Sequence, residues 1–119
     1  LPKSDWTHAA HFAAALWLVR AGRDAEMPGL IRAYNTATGV ANTDTSGYHE
    51  TITLASLAVA RAALAGAVDA PLGEVLAAMM AARYGRSDWL FAHWTRGLLF
   101  TPEARRGWVA PDLTPLAVV

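Results

Sequence analysis

The residues of this chain best suited to chemistry are three of its four histidines. His8 and His11 stand three apart in an apolar segment, His8-Ala-Ala-His-Phe-Ala-Ala-Ala-Leu-Trp-Leu-Val, that reads as helix. Residues i and i+3 share a helix face with Cβ atoms about 5–6 Å apart, so both imidazoles can reach one ion. Helical bundles complete such pairs from facing helices. His49, within Tyr48-His49-Glu50, opens the third predicted helix and supplies a third nitrogen if the two helix starts face each other. Three histidines with an open fourth position form a catalytic zinc centre. The expected site is therefore His8, His11 and His49 around one divalent metal. Zinc comes first, although imidazoles also suit copper, nickel and iron. Glu50 would be the general base for metal-bound water or accept an imidazole N–H, and Tyr48 a pocket wall or proton donor. Adjacent helical residues point about 100° apart, which sets His49 inward and Glu50 at the rim.

Just before this helix runs Asn42-Thr43-Asp44-Thr45-Ser46, dense in short polar side chains. One helix cap needs only one of them, with Asp44, Thr45 and Ser46 eligible. That leaves Asn42 and Asp44 as candidate substrate-binding residues. Each feature also has a plainer reading. A buried histidine is commonly a satisfied core residue, but leaving ring nitrogens unpaired costs roughly 1–3 kcal/mol each, so two on one apolar helix demand partners. Glu50 suits a helix start electrostatically. Phe12, Leu16 and Trp17 read as core. His93 reads as surface or interface packing among tryptophans, and Arg83, Tyr84 and the pair Arg105-Arg106 as helix ends.

The elements that must position these residues are helices. Alanine is abundant, β-branched runs are scarce, and Gly and Pro recur at regular spacing. The expected fold is all-α: one domain, 1–119, a bundle of five to six short helices. The first runs from Asp5 or Thr7 to Arg20, and its apolar sides place it centrally. The second starts at Asp24 as N-cap with Pro28 in its first turn and ends by Thr38-Gly39. The third spans Tyr48 to Leu64, the fourth Leu72 to Tyr84 behind Asp69-Ala-Pro, and the fifth Asp88 to about Arg96 behind Ser87. Thr101-Pro-Glu opens a last turn to Arg106, and Pro111 and Pro115 keep the tail extended.

Composition narrows the classes. Of 119 residues, 54% are hydrophobic and 17% charged, which excludes a disordered tail. The formal net charge of zero argues against nucleic-acid binding and against an electrostatic membrane anchor. The absence of cysteine excludes disulfides, thiolate zinc sites and cysteine nucleophiles. The weakly charged stretches Ala9–Val19 and Ile52–Ala60 are about half a bilayer crossing, and no targeting segment is evident, so a cytoplasmic protein is expected. A mean hydropathy of +0.22 is high for so small a domain and points to a homodimer interface, with a wide apolar pocket as the rival.

The stretches Trp6-Thr-His-Ala-Ala-His, Gly47-Tyr-His-Glu-Thr-Ile-Thr and Thr101-Pro-Glu-Ala-Arg-Arg-Gly-Trp-Val-Ala-Pro-Asp-Leu resemble a group of small bacterial all-helical proteins with no established activity. The resemblance spans His8 to Leu113 and implies a compact α-helical fold. The leading functional expectation is a small metal-dependent hydrolase. The alternatives are a metal-free His/Glu acid–base enzyme, such as an isomerase or lyase, and a non-catalytic module that binds a small molecule or forms a dimer.

Overall fold

Thr7 starts the first helix by accepting a hydrogen bond from the Ala10 N–H at 3.2 Å, satisfying one of the donors that a helix start leaves unpaired. The computed structural model describes residues 7–116. In it α1 spans His8–Arg20. A 3-10 turn, Asp24–Glu26, leads into α2, Met27–Ala37, with Pro28 in the first turn, where its missing N–H costs no helical bond. After the polar loop come α3, Glu50–Ala65, and α4, Leu72–Ala81. Two further 3-10 turns, Arg83–Gly85 and Trp89–Ala92, precede α5, Arg96–Leu99, and α6, Pro102–Arg106. Thr95 and Thr101 cap these last two helices through their hydroxyls. The fold is all-α, with no strand among the described residues.

Three expected elements are altered, each for a local reason. Asp24 does not cap α2: its carboxylate takes the guanidinium of Arg61 at 2.6 Å, and the helix begins three residues later. The fourth helix stops at Ala81 because Ala82 turns extended and the chain folds back on the helix end. A side chain at Gly85 would meet the Met80 carbonyl oxygen at 1.9 Å, so the return requires glycine. The fifth helix is split. Asp112 accepts both the Thr95 N–H at 2.8 Å and the Thr95 hydroxyl at 2.7 Å, holding Thr95 extended as the cap of a new helix.

The centre of the bundle is α3 rather than α1. It packs against α1, α2, α4 and α6, burying Thr51, Thr53, Ala55, Leu57, Val59, Ala60 and Leu64. From α1 come Phe12, Ala15, Leu16 and Leu18, but Trp17 is 51% exposed with the Arg23 guanidinium 5.3 Å from its ring. Trp17 is therefore not core. With Leu30, Val68 and Leu113 also exposed, part of the high hydropathy lies on the surface. No helix among the described residues is long and apolar enough to cross a membrane.

A strap, residues 107–116, closes the far side. The Trp94 indole N–H donates to Val109 O at 3.0 Å, and the Leu113 N–H donates to His93 O at 2.9 Å. His93 is buried rather than superficial. Its Nδ1–H donates to Thr114 O at 2.7 Å, while Nε2 accepts from Arg83 at 3.0 Å. Thr51 ties the strap and α6 to the central helix. Its fully buried hydroxyl lies 2.8 Å from both Ala104 O and Gly107 O and accepts the Val109 N–H at 3.2 Å. Thr51→Val keeps the shape and removes the hydroxyl, stranding these groups at a cost of roughly 1–3 kcal/mol. Urea unfolding is expected to show that loss, with an unchanged m value.

Candidate functional site

The three histidines expected to share an ion go to different partners. His49 caps α3: its Nδ1 accepts the Ile52 N–H at 3.2 Å. That fixes the neutral tautomer with the proton on Nε2, which donates to Leu99 O at 2.6 Å. Both ring nitrogens are thus engaged, and the lone pair that a metal would take is held by the backbone. His8 lies one helix away, with Nε2 donating to Tyr84 O at 2.6 Å and its ring edge-on to Phe12. His11 interacts electrostatically with His8. Among the described residues, no group of three or more histidine, aspartate or glutamate side chains is placed to hold a metal ion.

These environments have a pH signature. Burial, and then the charge of His8, lower the His11 pKa below its ordinary 6.5. Burial lowers that of His49 too, aided by the Arg105 charge and opposed by the bond to Leu99 O. Between the folded pKa values and about 6.5, the unfolded chain binds more protons than the folded one. Stability is therefore full above pH 6.5, falls as pH drops through that window, and levels off below the folded pKa values. The thermal midpoint is expected to fall from pH 7.5 towards 5.5, and His11→Asn should flatten part of that slope. Asp24 and Asp112 titrate below their ordinary range because of hydrogen bonds to Arg61 and Thr95, so their contribution disappears only in stronger acid.

Tyr48 and Glu50 do meet. Tyr48 is buried, and its hydroxyl donates to the carboxylate of the half-buried Glu50. Burial, followed by that hydrogen bond, raises the phenol pKa well above its ordinary value.

The polar loop is built around Asn42 and Gly47. The Asn42 Oδ1 accepts the Tyr48 N–H and the Asn35 amide, both at 3.0 Å, while its own amide donates to Arg32 O at 3.2 Å. Gly47 takes φ +80°, and a side chain there would press to 2.3 Å from Ala41 O, so only glycine closes the turn. Thr43 accepts the N–H groups of Thr45 and Ser46. None of these residues caps α3, because the turn has given that place to His49. Asp44 reaches outward and pairs with Arg106 at 3.0 Å.

This loop forms one wall of a cavity of about 360 Å³. Asn42, Thr43, Asp44 and Tyr48 face three arginines: Arg32 from α2, and Arg105 and Arg106 from α6. The Arg32 guanidinium lies 4.1 Å from the centroid of the Tyr48 ring. Arg105 Nη1 donates to Gly47 O at 3.1 Å, and its Nε is buried with no hydrogen-bond partner. Three cations against one carboxylate make the cavity electropositive inside a chain of zero net charge. Asn42, Asp44 and Tyr48 are thus gathered at one cavity, while His8, His11 and His49 do not line it. The arginines are what the sequence reading missed. The adjacent Arg105-Arg106 was the available signal, and it reads as an ordinary helix end until α6 is placed across from the loop. A second, apolar hollow of about 250 Å³ lies between α1 and α4, lined by Leu16, Trp17, Leu72 and Leu76 among others. No protein-family model matches the chain, and no match was found among curated proteins or solved structures.

Proposed function

We propose that this chain is a small-molecule-binding module whose ligand is an anion held between the polar loop and α6. The observation that carries this reading is the convergence of Arg32, Arg105 and Arg106 on one cavity with a single carboxylate, Asp44, among its lining residues. Guanidinium groups present planar N–H forks that match carboxylate and phosphate oxygens. A volume of about 360 Å³ is also within the range of small-ligand sites.

The test is a thermal-shift and NMR titration with sulfate and inorganic phosphate against sodium chloride at matched ionic strength. A ligand that binds only the folded state raises its stability with concentration. Arg32→Gln and Arg106→Gln, both at exposed side chains, are each expected to weaken binding about tenfold while leaving the fold intact. A response no larger than that to chloride would overturn the reading. The metal-dependent hydrolase alternative needs His49 to release Ile52 or Leu99, and its own test is the chelator comparison made below on His49→Ala.

A further inference from the structure

Building on the anion-binding reading, we infer that the ligand is a compact dianion, whose charge matches the excess that the cavity carries once Asp44 is counted. Asp44 holds Arg106 by one oxygen at 3.0 Å, and both side chains are more than half exposed, so the pair is weak and displaceable. This carboxylate is a tethered negative charge among the cavity's lining residues. An incoming monoanion that takes Arg106 from Asp44 exchanges one negative charge for another. Because Asp44 is attached to the loop, it competes at high effective concentration. Such a ligand gains little.

A dianion brings a second charge to the other two guanidiniums. Neither is spent. Arg105 uses Nη1 on the backbone of Gly47 and Tyr48, which leaves its charge without a counter-ion. Arg32 meets the face of Tyr48, a contact made through charge and ring rather than through N–H groups. The lining residues sum to three positive charges and one negative, an excess of two, which a dianion neutralises. Glu50 reaches the site only through the phenol of Tyr48 and is not part of its lining.

The experiment is an NMR titration at pH 8 with monomethyl phosphate, a dianion there, and dimethyl phosphate, a monoanion of similar shape. Malonate and acetate provide the same comparison for carboxylates, and the tighter dianion identifies the acid group preferred. In the wild-type chain each dianion is expected to bind about tenfold more tightly than its monoanion, as one further charge near a net charge of two implies in a watery site. Asp44→Asn, isosteric and exposed, takes that excess from two to three, so it should raise the affinity of every anion severalfold, that of the dianions most, and widen the dianion preference. Equal affinity for dianion and monoanion in the wild type overturns the dianion inference while the binding reading stands. A preference that Asp44→Asn leaves unchanged or narrows overturns the charge-matching account. Failure of all four anions to bind overturns the binding reading itself.

Discussion

Replacing His49 by alanine is expected to cost about 2–4 kcal/mol of stability, one of the two largest losses at any single position considered. The side chain does two things that alanine cannot. Its Nδ1 satisfies the Ile52 N–H at the start of α3, a capping role worth about 1 kcal/mol. Its Nε2–H serves the Leu99 carbonyl, and a buried acceptor left unpaired adds roughly 1–3 kcal/mol. His49→Asn is the informative companion, because asparagine caps a helix well but is too short to take over the second bond. It should recover about 1 kcal/mol. Urea unfolding of the three proteins, with chelator and with added zinc, separates the possibilities. On the capping account the losses are the same under both conditions. A wild-type stability that falls with chelator and returns with zinc, while His49→Ala responds to neither, would instead establish His49 as a metal ligand.

Trp94→Ala is expected to be at least as severe, at about 3–5 kcal/mol, since it empties the largest of the fully buried side chains. Its effect should also be directional. The indole N–H donates to Val109 O, and the ring meets Trp108 edge-on at 5.6 Å between centroids. Losing Trp94 therefore loosens the strap before the rest of the bundle. Hydrogen exchange is the appropriate readout. The Leu113 N–H, bonded to His93 O, should exchange much faster in Trp94→Phe, which keeps most of the apolar volume but not the donor, while amides in the middle of α3 slow-exchange as before. Uniform acceleration across α3 and the strap would show that the two unfold as one unit.

What the sequence made legible was local. Alanine-rich composition and Gly/Pro punctuation read as helices, and Thr101-Pro-Glu marked the start of α6 because hydroxyl cap, proline and first-turn carboxylate all act within one turn. The cap of α3 was misread for an equally local reason. Asp44, Thr45 and Ser46 are better caps by type than histidine, but Gly47 turns the chain and spends the nearby hydroxyls on the loop itself. Trp17 was misplaced because a helix apolar on every side carries no phase from which to read its inner face. The candidate site was half legible. Asn42, Asp44 and Tyr48 stood out by composition, whereas Arg32, Arg105 and Arg106 matter only through a convergence that no spacing in the chain encodes.

That convergence spans long stretches of chain. Arg105 meets Gly47 across 58 positions, Arg106 meets Asp44 across 62, and Thr51 meets Ala104 across 53. Contacts closing such long loops form late, after their entropy has been offset by neighbouring structure. During synthesis, α1 to α4 can assemble while the loop beside Tyr48 still faces solvent with only Arg32 for company. The cationic wall is complete only when α6 has docked onto α3. A ligand seated between the two walls would then act on that docking step, holding α6 against the loop and the central helix.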